Sequence, residues 1–318
     1  MSEIFNENFN INVADNRTGD DTSARKKETD VLDTSVCRLC PNDCRIDRST
    51  SIGACLAGNE MRIAKYYLHP YEEPPVSGTK GSGTIFFTGC SLKCRFCQNY
   101  DLSRNRRGKE ITVNELADIF KKLEDMGAHN INLVTPTHYY DKIIRAFDIY
   151  RPSIPILSNT HGYEKVEVLE RLLPYTDVFL PDMKYCSPAV SERYTSKKNY
   201  FEVASRAIEF MIKNKPTIYE NGLIKQGVIV RHLILPMNVT DSKKILDWFE
   251  PYKGAAAFSL MSQYTPFGDT DGCPELKRKI TKREYKDVLD YATSLGIYDL
   301  FVQDFKSADT EFIPDWDF

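Results

Sequence analysis

From Gly83 onward short apolar runs alternate with amphipathic stretches, and this alternation constrains the fold more than any other feature of the chain. The apolar runs read as strands: "TIFFT" (84–88), "INLV" (131–134), "IPILS" (154–158), "DVFLP" (177–181), "GVIVRHLIL" (227–235) and "AAAFSLM" (255–261). Between the first two lies "TVNELADIFKKLEDMGA", in which Leu116, Ile119, Phe120, Leu123 and Met126 recur at helical spacing. That stretch opens with a Thr112-x-x-Glu115 capping box and stops at Gly127. A late stretch repeats the design, from Thr281-x-x-Glu284 to Gly296. Such alternation predicts an α/β fold with a parallel sheet and right-handed crossovers. Six units suffice for most of a barrel or for an open doubly wound sheet.

The cysteines carry the chemistry. The chain has nine, and seven fall in two tight groups. Cys90, Cys94 and Cys97 form a C-x3-C-x2-C row directly after the first strand, where loops at the carboxyl edge of a parallel sheet bind ligands. Thiolates are soft ligands suited to iron–sulfur clusters or zinc. Three of them on a four-iron cluster leave one iron open, the mark of a reactive rather than a structural site. Cys37, Cys40, Cys44 and Cys55 are spaced C-x2-C-x3-C-x10-C and suit a closed second site, holding either zinc or an auxiliary iron–sulfur cluster. Cys186 and Cys273 stand alone, as small buried hydrophobes do.

Composition sets the frame. Among 318 residues, 42% are hydrophobic and 27% charged, as in a soluble globular protein. A net charge of −3 gives no bulk attraction to nucleic acid. Even the longest apolar run is interrupted by Arg231 and His232, so a membrane partner is not expected. With an odd cysteine count and no secretory signal, the expected location is cytoplasmic, without a disulfide framework. Residues 1–36 hold eight acids against four bases and read as a disordered acidic tail. Residues 37–78 read as a cysteine-rich metal-binding segment with a connector, "YEEPPVSGTKGSGT", and residues 79–318 as the barrel domain.

"CSLKCRFC" resembles the signature of the radical S-adenosylmethionine (radical SAM) superfamily, C-x3-C-x-aromatic-C, with Phe96 as the aromatic. With "EEPPVSGTKGSGTIFFTGC", "NLVTPTHY", "LPDMKY", "VRHLILP" and "MSQYTPFG", residues 37–305 are similar to pyruvate formate-lyase activating enzyme-like proteins. The resemblance implies a partial (β/α)6 barrel and a [4Fe–4S] cluster on Cys90, Cys94 and Cys97. It also implies that S-adenosylmethionine chelates the open iron. Reductive cleavage of that molecule then yields a 5′-deoxyadenosyl radical that takes hydrogen from a substrate. Reduced flavodoxin or ferredoxin would be the electron donor and a glycyl-radical enzyme the protein partner.

The same resemblance assigns the strand ends. A Gly-Gly-Glu-type turn usually contacts the methionine amino group, and here "TPTHY" stands in its place, offering Thr135, Thr137 and His138. "SNTHGY" is similar to a "DTNG" stretch, which sets Asn159 and Thr160 toward the ribose and carboxylate of the cofactor. Asp182-x-Lys184 matches the D-x-K pattern of activating enzymes, with Lys184 near substrate or cofactor and Asp182 near a monovalent cation. Arg231 would meet the cofactor carboxylate, since a buried cation needs a partner, and Gln263 with Tyr264 would line the adenine side. Two other readings remain at this stage. One is the same radical chemistry on a small molecule or another peptide; the other is a non-catalytic iron–sulfur protein for electron transfer or scaffolding.

Overall fold

The structure, a computed structural model, describes residues 35–302. Except for Ser35 and Val36, the expected tail over 1–36 lies outside the described residues, as do residues 303–318. Ten strands occur among the described residues. They are β1 (Met61–His69), β2 (Ser82–Phe87), β3 (Lys109–Ile111), β4 (Ile131–Val134), β5 (Ile156–Thr160), β6 (Val178–Pro181), β7 (Ile218–Glu220), β8 (Leu223–Leu233), β9 (Ala257–Met261) and β10 (Leu300–Val302). The helices are α1 (Pro74–Ser77), α2 (Tyr100–Asn105), α3 (Val113–Asp125), α4 (Tyr140–Ile149), α5 (Val166–Leu172), α6 (Pro188–Thr195), α7 (Tyr200–Asn214), α8 (Val239–Phe249) and α9 (Lys282–Ser294).

The sheet runs β10-β9-β8-β6-β5-β4-β2-β1-β3, with β7 folded back on β8 as a hairpin. From β2 to β10 the neighbours along this path are parallel, and β1 and β3 add antiparallel strands at the other edge. The six sequence-predicted strands are β2, β4, β5, β6, β8 and β9, the parallel strands of a partial (β/α)6 barrel. Four more strands were not anticipated. In β1 ("MRIAKYYLH") only Met61 and Ile63 are buried, so its residues give little of the period-two signal that marks a half-buried strand. β3, β7 and β10 are three residues each, below what an apolar pattern resolves.

Both predicted capping boxes form. In α3 the Thr112 hydroxyl accepts from the Glu115 N–H at 3.1 Å while the Glu115 carboxylate accepts from the Thr112 N–H at 2.8 Å. In α9 Thr281 and Glu284 repeat this at 3.1 and 2.7 Å. Each removes two otherwise unpaired donors from a helix start, an effect of about 1 kcal/mol. The apolar face of α3 buries Leu116, Ile119, Phe120 and Leu123, and Phe120 stacks on Phe147 of α4 at 4.9 Å. Burying side chains of this size is worth about 1.5–3 kcal/mol each. Met126, counted on that face from spacing, caps the helix instead and is 48% exposed.

The segment before β1 docks through Arg48. Its Nε donates to the Gly58 carbonyl at 2.9 Å and its Nη1 to the His138 carbonyl at 2.7 Å, with the Asp141 carboxylate 3.8 Å away. All three partners are reached from a fully buried guanidinium. No described helix is long and apolar enough to cross a membrane.

Candidate active site at the carboxyl ends of the parallel strands

The cysteine loop leaves β2 through Gly89, whose φ is +89°. A Cβ there would stand 2.5 Å from the Cys55 carbonyl oxygen, so only glycine lets the two segments meet. The next residue uses that contact: the Cys90 N–H donates to the Cys55 carbonyl at 3.0 Å. Phe96, the aromatic of the cysteine motif, is held edge-on by Tyr185, Tyr194 and Tyr264 at 6.4, 5.7 and 5.8 Å. Edge-to-face contacts of this kind fix a ring's orientation as well as burying it, and they pin the loop from below.

The three thiols are free and border one cavity of about 570 Å³ at the carboxyl ends of the parallel strands. Burial pushes the Cys90 thiol up to about 12 and Cys94 up to about 11, and raises Cys97 as well, with Cys97 further raising both Cys90 and Cys94. Donors point at sulfur: the Lys93 N–H lies 3.5 Å from Cys90 Sγ and the Tyr185 hydroxyl 3.6 Å from Cys94 Sγ. Among the described residues no three His, Cys, Asp or Glu side chains close to single-ion distances. Thiols on the corners of a cubane stand farther apart than the ligands of one ion. Three uncrosslinked thiols, two buried and Cys97 half-buried, with donors to sulfur and an adjoining cavity fit a [4Fe–4S] cluster with one iron facing the cavity.

Opposite the cysteines, Asp182 Oδ2 and Lys184 Nζ meet at 2.5 Å at the end of β6. Burial alone would lower the lysine, but Asp182 and the cysteine sulfurs hold it above the ordinary lysine range. The Tyr200 hydroxyl accepts from the Lys184 N–H at 3.0 Å and lies 2.8 Å from the Asp182 carbonyl and 2.9 Å from that of His161. Gly162 makes this possible: at φ +75° its missing Cβ would stand 2.2 Å from the Asp182 carbonyl oxygen. Asn159, Thr160 and Gln263 also line the cavity.

Two expectations are corrected. Thr137 and His138 do not line the cavity but sit behind it. The Thr137 hydroxyl donates to Glu164 Oε1 at 2.6 Å, and His138 Nε2 bonds the Thr88 carbonyl at 2.8 Å. From "TPTHY" it is Thr135 that faces the cavity, at φ +58°. A β-branched residue pays about 1–2 kcal/mol in that conformation. The following Pro136–Tyr139 turn is what carries the next two polar side chains away.

Arg231 reaches the cavity, yet its charge is already taken. Its Nε meets Glu73 Oε1 at 3.0 Å, and its Nη2 contacts Glu72 at 2.5 Å and the second Glu73 oxygen. Burial opposes both charges, but their attraction holds Arg231 above and Glu73 below the usual ranges. The presumed connector thus supplies two carboxylates to the site and, through Val76 of α1, part of the core. His232, next on β8, faces the other way, to the Met183 carbonyl and the Ser242 hydroxyl, both at 2.8 Å.

Sequence reasoning missed His161 and Glu164. His161 lines the cavity and lies 2.7 Å from the Ser91 hydroxyl, inside the cysteine motif. Glu164 is buried behind it, and burial pushes its carboxyl up to about 8 against hydrogen bonds from Thr137 and Thr160. Both follow Asn159-Thr160 in "SNTHGYE", a polar cluster at a strand end that was the available signal.

Residues 84–248 match the family model described as the radical SAM superfamily. The chain belongs to this superfamily. Membership implies an enzyme with a [4Fe–4S] cluster and S-adenosylmethionine. An uncharacterized protein of Methanocaldococcus jannaschii is 30% identical over 271 residues, covering 82% of this chain and 75% of that one. The pyruvate formate-lyase-activating enzyme of Listeria monocytogenes is 24% identical over 175 residues, or 51% of this chain. The match spans 65% of the activating enzyme's length. Among solved structures, Streptococcus suis SuiB bound to precursor peptide SuiA aligns at TM-score 0.45 and 14% identity, over 68% of this chain and 46% of that one.

Proposed function

We propose that this radical SAM enzyme abstracts hydrogen from a glycine of a partner protein, as an activase, with reduced flavodoxin or ferredoxin as electron donor. When bound, the cluster and S-adenosylmethionine supply a 5′-deoxyadenosyl radical; the chain's own residues position what it attacks. Cys90, Cys94 and Cys97 hold the cluster. The observation that carries the reading is the Asp182–Lys184 pair at the end of β6, half-buried against the cavity and within the electrostatic field of Cys94 and Cys97. A fixed ammonium there offsets negative charge on the cluster thiolates and on a cofactor carboxylate. Asn159, Thr160 and Gln263 offer hydrogen-bonding groups to the rest of the cofactor. Similarity to the activating enzymes supports the choice of a protein substrate. Cys37, Cys40, Cys44 and Cys55 belong to a second metal site in the same reading.

The test is anaerobic incubation of the reconstituted chain with S-adenosylmethionine, reductant and a candidate glycyl-radical enzyme. A glycyl doublet in the electron paramagnetic resonance spectrum of the partner, with release of 5′-deoxyadenosine, is the expected result. Release of 5′-deoxyadenosine carrying label from a metabolite, with no protein radical, would move the reading to a small-molecule substrate.

A further inference from the structure

Residues 37–57 contain no helix or strand, yet Leu39, Arg48 and Ala57 are buried there. Cys37, Cys40 and Cys55 are buried, Cys44 is half-buried, and none is disulfide-bonded. The backbone turns back on itself at the cysteines: the Cys37 N–H donates to the Ile46 carbonyl at 2.8 Å, the Arg45 N–H to the Cys37 carbonyl at 2.9 Å, and the Asp43 N–H to the Cys40 carbonyl at 3.0 Å. Asp43, Arg45 and Leu56 hold left-handed conformations at φ 43°, 54° and 66°. Each costs about 1–2 kcal/mol in a residue with a Cβ, so something in the segment must offset the strain. The four sulfurs share one neighbourhood, for Cys40 lies in the field of Cys44 and Cys55, and Cys55 in that of Cys37 and Cys44. Donors reach them as they reach the cysteines of the active-site loop: Asn42 Nδ2 is 3.6 Å from Cys40 Sγ and the Ala54 N–H 3.4 Å from Cys44 Sγ.

This segment also holds the active-site loop. The Cys55 carbonyl accepts from the Cys90 N–H at 3.0 Å, and Asn42 Nδ2 donates to the Ser91 carbonyl at 2.8 Å. Two residues that flank or belong to the upstream cysteine set therefore fix the backbone of Cys90 and Ser91.

We propose that Cys37, Cys40, Cys44 and Cys55 form a tetrathiolate centre for an iron–sulfur cluster, whose corner thiols stand farther apart than the ligands of a single ion, and that this centre braces the Cys90–Cys97 loop through Cys55 and Asn42. The bracing half rests on the assignment of that loop to the catalytic cluster. Four thiolates on one centre supply the attraction that strained loop backbone otherwise lacks. The brace also explains why Gly89 must be glycine, since any side chain would part the two segments.

The test uses the full chain, purified anaerobically, with Cys90, Cys94 and Cys97 all changed to Ser. It should retain about four irons with acid-labile sulfide, and about one zinc in their place would overturn the cluster. Adding Cys40→Ser should remove that metal. A triple variant free of metal, or a Cys40→Ser chain that keeps the full complement, would overturn the centre. The brace is read by hydrogen exchange over residues 88–98, with Cys44→Ser in an otherwise wild-type chain. Cys44 is the least buried of the four, so the fold should survive; chelation of the triple variant gives the same comparison if it does not. Loss of the upstream metal should speed exchange there about tenfold or more, whereas unchanged protection would refute the brace. If the Cys90 loop is not the cluster site, the wild type will show no cluster signal that responds to S-adenosylmethionine while the upstream metal persists, so the two failures are separable.

Discussion

His161 Nε2 lies 2.7 Å from the Ser91 hydroxyl, and the ring's other nitrogen accepts from the Tyr163 N–H at 3.1 Å. The second bond decides the tautomer. With Nδ1 occupied as an acceptor, the proton sits on Nε2 and is donated to Ser91, and burial keeps the ring neutral by pushing its pKa down to about 3. The end of β5 thus grips the cysteine motif between Cys90 and Cys94.

His161→Ala should therefore act on the loop. Removing a buried donor costs about 1–3 kcal/mol, so the melting temperature should fall. The spectrum of the reduced cluster and its response to S-adenosylmethionine should also change. His161→Gln, whose amide N–H reaches toward the same hydroxyl, should restore much of both. An alanine variant with an unaltered cluster spectrum would reduce His161 to a packing residue.

The ion cluster of Arg231 with Glu72 and Glu73 makes a prediction about stability. Arg231→Met leaves two carboxylates with little access to water and no counter-charge, and breaking such a pair costs about 3–5 kcal/mol. Adding Glu72→Gln and Glu73→Gln should recover most of that loss. Chemical denaturation of the single and triple variants measures both steps. If the triple variant is no more stable than the single, the carboxylates are not what Arg231 neutralises.

That cluster also marks how far the sequence could be read. The six parallel strands were legible as apolar runs because strands such as β2 and β6 are buried on both faces, and α3 because burial on one face imposes a period, as at Leu116, Ile119, Phe120 and Leu123. The cysteine motif was legible because its ligands are close in sequence. The partners of Arg231 were not, being 158 and 159 residues away in a Pro- and Gly-rich stretch that has the composition of a linker. The same limit applies at "TPTHY": residue type named Thr137 and His138, but the turn beginning at Pro136 decided which side chain faces the cavity.

Glu164 predicts a pH dependence with a definite sign. Its carboxyl titrates near 8 in the folded chain against an ordinary 4.5, chiefly through burial. Between those values the folded state holds a proton that the unfolded state has lost, so stability is greatest below about 4.5 and falls as pH rises toward 8. At about 1.4 kcal/mol per pH unit, the contribution is on the order of a few kcal/mol. Glu164→Gln, which keeps an acceptor for Thr137 and carries no charge, should flatten this slope. Melting temperatures from pH 5 to 8 for both chains provide the comparison, and parallel profiles would assign the slope to other groups.

Lys184 predicts an effect on chemistry separable from folding. Its ammonium faces the cysteine sulfurs and is held by Asp182 at 2.5 Å. Lys184→Met keeps the length and apolar stem but removes the charge. Without it, added negative charge on the reduced cluster is less well offset, so the midpoint potential should move to more negative values. Hydrogen bonds to charged groups are worth about 1.5–3 kcal/mol, so S-adenosylmethionine cleavage should slow roughly ten- to a hundredfold. Lys184→Arg, which keeps the charge, should hold the potential near wild type even if its shape slows turnover. The potential separates the two roles: if both variants titrate with the wild type but lose activity, Lys184 acts by shape on the bound cofactor or substrate, and its field does not tune the cluster.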